Sequence, residues 1–597
     1  MLLSHRRIAS RWGCVAFAVA TLCICAAPVT AGTFPADNRS ELQRIERRVR
    51  AAHFLSRATF GPTSEEVDAL AERMARLGAQ ASFAEWIDRQ FSLPPSHHEP
   101  LTLRMIADDG FDPLSIFPRA NQYKHYAWWH IALAAPDQLR QRMAWALSQI
   151  FVINGTGPGF ASRAPDITGR PQYIGIVHYY DMLVHNALGN YRELLEDVTL
   201  HPIMGSFLSH VRNPKGDPSV GLFPDENYAR EIMQLFSIGL YELHPNGVLK
   251  LDDQGLQVET YDNDTIKAFA RVFTGLNSAG APTFTNRGRN FYEPMQMFEE
   301  FHDTDEKALL RGTLLPAGQS GMEDIRDALD NIFAHPNVAP FIARLLIQRF
   351  VRSNPSKNYI RRVAAAFEDN GRGVRGDLRA VIRATLLDWE ALKSQSYYRV
   401  REPYGLWVTT RGTEHSRLRE PVLRYAAFLR AFHPTSSYET GRFMIPDLNV
   451  YLNQAAYIAP NVFNFYLPDH RPSGEILSYQ PSLLIPNGVF FAPEFQIFTS
   501  IAANTVATRF YIDVADAEAD YTVDSKLLLD FSAETELAAD PAALLSHLDL
   551  LLCHGSLNDR TKQILSEIVA TETDDPTFRA RGAILAVLTS PECAVDQ

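Results

Sequence analysis

Through most of the chain the apolar residues recur every three to four positions, the spacing of a helix with one buried face. That rhythm predicts helices over 123–134, 138–153, 176–186, 191–200, 226–240, 337–350, 378–388 and 562–569. A helix ending over 51–60 meets Gly61-Pro62, which breaks it. Thr63-Ser64-Glu65-Glu66 then sets a hydroxyl three residues ahead of a carboxylate, the capping box that opens the next helix. Strand signals are few, and the clearest covers 307–315, around Gly312. The predicted fold class is mainly α, a large all-helical globular domain with few short strands and long ordered loops. The most notable loop covers 214–224, and prolines recur without helical period over 457–493, which reads as a long ordered excursion or as a linker.

The first residues break this pattern. Arg6, Arg7 and Arg11 precede an apolar run over 14–27, and Val29-Thr30-Ala31 follows it, the three regions of a cleavable secretory signal over 1–31. The run is too short to span a bilayer as a helix, and no later stretch is long and apolar enough, so stable membrane insertion is not expected. The residues after the arginine pair, Ile8-Ala9-Ser10, fit general secretion better than the twin-arginine route. Neither Cys23 nor Cys25 follows the small residue a lipid anchor needs. The expected location is the periplasm or the medium.

Three of the five cysteines lie in that signal. Cys553 and Cys593 remain, either as a disulfide suited to an oxidising compartment or as two buried thiols. With 597 residues, 46% of them hydrophobic and 21% charged, the chain has ample material for a packed core and is not pervasively disordered. The formal net charge of −12 becomes three units more negative once the signal arginines are removed. Nucleic acid and anionic membrane are therefore excluded as main partners.

Several blocks together carry a family resemblance: Arg57-Ala58-Thr59-Phe60-Gly61-Pro62-Thr63, then 142–149, 186–191 and 199–204, and above all Asp225-Glu226-Asn227-Tyr228-Ala229-Arg230-Glu231. On these the chain resembles the bacterial family called domain of unknown function 1800, over roughly residues 45–470. Two departures are Leu276, where members usually have Trp, and the looser match after Tyr457. The resemblance implies a secreted, mainly helical protein, often encoded beside a second secreted family of sulfatase-like fold, which makes such a protein a candidate partner. The expected organisation is the signal at 1–31, a helical family core at 40–400, and a helical extension at 401–597 packed on that core.

The same block holds the candidate chemistry. Asp225 reads as a helix N-cap, and Glu226 stands where the helix dipole favours negative charge. At about 100° per residue, Glu226, Asn227, Arg230, Glu231 and Gln234 share one polar stripe on an otherwise apolar helix. A buried stripe must be paired. One reading is structural, Glu226 with Arg230 and Glu231 with an arginine elsewhere. The other is functional, with Glu226, Arg230 and Glu231 as catalytic candidates, a carboxyl raised in pKa by burial for acid–base work, and Asn227 on the substrate.

Two further sets are weighed against structural roles. His201, with His302 and Asp303 from another loop, would suit a divalent metal near Glu226 and Glu231, though a histidine at a helix end is more often a cap. Tyr126 and Trp129 belong to an aromatic cluster that either stacks on sugar rings or packs in the core. Zinc-protease, nucleophile-elbow, phosphate-loop and haem motifs are absent from the sequence. Two functions remain open: an envelope or extracellular hydrolase-like enzyme acting on a glycan or related polymer, and a noncatalytic scaffold that binds a secreted partner.

Overall fold

The structure, a computed structural model, describes residues 39–114, 120–156, 165–286, 289–393, 397–401, 407–411, 417–436, 442, 443, 445, 447–473, 489–515 and 527–596. The secretory signal assigned to 1–31 lies outside the described residues. Mainly α architecture follows from the helical spacing of the apolar positions. Helix α1 (Arg39–Ala58) stops before Gly61, whose backbone lies against Ala427 where no Cβ would fit. Helix α2 (Ser64–Leu77) opens on the complete capping box, with Thr63 Oγ1 accepting from Glu66 N and Glu66 accepting from Thr63 N.

The central layers are α3 (Ala120–Ala134), α4 (Gln138–Ser148), α5 (Gly175–Asn186) and α6 (Tyr191–Leu200). Next come α7 (Asn227–Gln234), α8 (Asn263–Val272), α9 (Gly321–Phe333), α10 (Val338–Phe350) and α11 (Leu378–Leu387). Later in the chain are α12 (Pro421–Ala431) and α13 (Asp559–Glu572). The 226–240 helix is shorter than its apolar pattern predicts. After Gln234 the chain turns, Gly239 takes a left-handed φ of 75°, and its N–H returns to Met233 O at 3.0 Å. The sheets are two-stranded. Lys307–Ala308 pairs antiparallel with Leu314–Leu315 across the Gly312 turn, where the sequence carries its clearest strand signal. No helix among the described residues is long and apolar enough to cross a membrane.

One apolar cluster runs from Ala51 to Cys593, so the 401–597 segment shares its core with the helices before it. Charged groups stitch the two together from inside. Glu420, ahead of α12, accepts on one oxygen from Trp145 Nε1 at 3.1 Å, Gln149 Nε2 at 3.0 Å and Gln454 Nε2 at 2.7 Å. Arg417 grips Asp596 through Nε and Nη2 at 3.0 and 2.8 Å, where Arg417–Leu418 pairs antiparallel with Val595–Asp596. Beside that strand pair, Cys553 and Cys593 form a disulfide with their Cα atoms 4.4 Å apart.

Candidate acid–base site

The polar stripe of α7 is built from its entry loop. Asn213 clamps Asp225 from both sides, accepting from its N–H at 2.8 Å and donating to its carbonyl at 3.3 Å. The Asp225 carboxylate accepts from Asn227 N at 2.8 Å, so it caps the helix while Glu226 occupies the capping position itself without a side-chain cap. Glu226 pairs with Arg230 at 3.1 Å, both side chains about 40% exposed. Asn227 is exposed and Gln234 half-buried.

Glu231 is different. The residue is only 6% exposed, and its Oε2 is sealed from solvent without a hydrogen-bond partner. The Glu226–Arg230 half of the expected ion-pair network is present. The other half is not: among the described residues Glu231 makes no ion pair, because the arginine next to it in sequence points along the exposed side to Glu226. Burial raises the Glu231 pKa above its ordinary value, and Arg230 pulls it back only in part.

A second oxygen joins it. Tyr261 arrives at α7 at the end of a two-turn meander, where Thr260 N and Oγ1 bond to Leu240 O and Gly239 O at 3.0 and 2.6 Å. Its hydroxyl is also sealed and without a partner, and its pKa is raised by burial and then by the negative charge of Glu231. Glu231 is thus buried and Tyr261 half-buried, each with one oxygen sealed from solvent, and the hydroxyl lies within electrostatic reach of the carboxyl, which leaves Glu231 protonated more readily than an exposed carboxyl. Sequence reasoning passed over Tyr261. The turn signals at Asn246-Gly247 and Gly255, which return the chain to α7, were the available clue.

The remaining candidates are held by other partners. His302 spends both ring nitrogens, one on Asp324 Oδ2 at 3.0 Å and one on Thr274 O at 3.1 Å, while Asp303 forms a two-pronged pair with Arg271 at 2.7 and 2.9 Å. His201 caps the next turn by accepting from Ile203 N at 3.2 Å and packs on Tyr179 and His178. Among the described residues no three His, Cys, Asp or Glu side chains are grouped to hold a metal ion. The imidazole that does reach α7 is His210, stacked on Tyr228 with centroids 3.8 Å apart and bonded to Thr199 O at 2.9 Å. Trp129 is 3% exposed and packs edge-on against Trp128 and Tyr425, so it offers no face to a sugar ring. Tyr126 is half-buried against Tyr123.

Fold and site together define a mainly helical protein with a buried, unpaired carboxyl beside a surface ion pair. The chain belongs to the DUF1800 family, described as a protein of unknown function, which matches residues 53–595. The match extends past residue 470, the end of the resemblance read from the sequence, and takes in the Cys553–Cys593 disulfide. No curated protein and no solved structure matches the chain.

Proposed function

We propose that this family member is an exported acid–base enzyme in which Glu231 donates a proton to an oxygen of the substrate. The observation that carries the reading is the sealed Glu231 oxygen, unbonded and raised in pKa by burial, with the unbonded Tyr261 hydroxyl within reach of its charge. A carboxyl serving only the fold is expected to be paired. Asn227 and Arg230, exposed on the same stripe, supply polar contacts to a hydroxyl-rich substrate, and a glycan or related polymer is the class in which a protonated carboxyl assists the leaving oxygen.

The test is release of new reducing ends from cell-wall and extracellular glycans by the full chain and by Glu231→Gln. The expected result is a loss of about 100-fold or more in the variant, the size of a general-acid contribution, with Glu226→Gln far less affected. Equal rates in wild type and Glu231→Gln overturn the assignment.

A further inference from the structure

The loop that leads into α7 ends in a turn that holds apolar side chains in water. Asp217 and Leu222 exchange two backbone hydrogen bonds at 2.9 and 3.0 Å, Gly221 takes a left-handed φ of 70°, and the Asp217 carboxylate accepts from Ser219 N and Oγ at 3.0 and 2.6 Å. Its base is tied down as well, by Lys215 N on Phe301 O at 2.8 Å and by the Asn213–Asp225 clamp. On this bonded frame Val220 is 74% exposed and Phe223 71%. A large aromatic fixed in solvent at this exposure has no role in the core, and a turn already ordered loses little freedom when something covers it.

The charges around it say what covers it. Asp217 and Asp225 are exposed on the same loop. Helix α8 packs on α7, the helix this loop enters, and carries exposed Asp262 and Asp264 at its own start. Against these stand Arg212, half-buried, and Lys215 on the loop, with Arg230 held by Glu226 at 3.1 Å and Lys267 by Asp264 at 2.9 Å, so that among the described residues Asp217, Asp225 and Asp262 stay outside any ion pair. An apolar tip in an acidic field fits a basic surface with an apolar pocket. A second copy of this chain would set the same carboxylates against one another, and an anionic lipid surface would be repelled.

We infer that the Val220–Phe223 turn is a docking site for a basic partner protein, which takes Phe223 into an apolar pocket while its cations meet the surrounding carboxylates. The proposal does not depend on the chemistry of Glu231.

The probe is a synthetic amphipathic peptide with lysines on one face and leucine and tryptophan on the other, together with its glutamate counterpart, titrated into the full chain by fluorescence anisotropy. The double variant Val220→Ser with Phe223→Ser keeps every charge and, being altered only at exposed positions, keeps the melting temperature. Expected are binding of the lysine peptide that weakens with salt, at least ten-fold weaker binding by the variant, and no binding of the glutamate peptide. No binding of the lysine peptide, or equal binding by the variant, overturns the proposal. So does a Phe223-dependent dimer in sedimentation, or Phe223-dependent binding to phosphatidylglycerol vesicles.

Discussion

Glu231 sits where its own charge is unwelcome. A buried polar group without a partner costs about 1–3 kcal/mol, and a carboxyl whose folded pKa lies above its unfolded one favours the fold only while protonated. Its contribution is present below the unfolded pKa and is lost as pH rises through the raised folded value. Glu231→Gln, which cannot ionise, should therefore melt at a higher temperature than wild type on the alkaline side of that window and at a similar temperature below it. Differential scanning calorimetry across pH 4–8, a range of about four units around the ordinary carboxylate value, reads this directly. A lower melting temperature at every pH would mean that Glu231 holds the fold together. Glu226→Gln should change stability by less than about 1 kcal/mol, since its pair with Arg230 is solvent-exposed. The stripe was legible in sequence because angle on a helix is set by spacing alone. Which member would be buried was not, because that depends on what the rest of the chain packs on the helix, and the meander that returns Tyr261 to its neighbourhood comes 30 residues downstream. The same limit applies to His201 and His210: chain order placed an imidazole near α7, and packing chose the later one.

Helices were read well where their ends carry local chemistry. The box at Thr63 and the break at Gly61-Pro62 are visible as residues and are found as geometry. Thr63→Ala should lower stability by about 1 kcal/mol, the usual worth of an N-cap hydroxyl, measured as a shift of the urea midpoint with unchanged slope. The span 191–200 matches α6 because Asn190 caps it and His201-Pro202 starts a new turn. Helix α7 was overestimated for an equally physical reason. Leu235, Phe236 and Ile238 continue the apolar rhythm, but Ser237 Oγ bonds back to Ile232 O at 2.5 Å and Gly239 closes the end. An apolar residue at helical spacing is needed by the core whether or not the backbone stays helical.

The whole molecule is joined by buried arginines whose partners lie far along the chain. Burial lowers the Arg142 and Arg57 pKa values to about 10, while Asp596, although equally buried, is held well below the ordinary carboxylate range by Arg417 and Arg419. A depressed carboxyl contributes stability above its unfolded pKa and loses it only as pH falls through the folded one, so this clasp persists in mild acid. Asp596→Asn should remove it at every pH and cost about 3–5 kcal/mol, the penalty for leaving a buried charge without its partner, seen as an unfolding midpoint lowered by a similar amount at neutral pH and in mild acid. None of this was legible from the sequence, because charge pairing across such spans has no periodic signature.

The spans themselves set a timetable. Arg417 and Asp596 are 179 residues apart, and Trp145 and Glu420 are 275 apart. A polypeptide delivered from its N-terminal side can join Trp145 to Glu420 early but keeps Arg417 without its carboxylate until residue 596 has emerged. The seam at Arg417 therefore closes only once Asp596 is available to it, and a chain that lacks that residue stays pliable there.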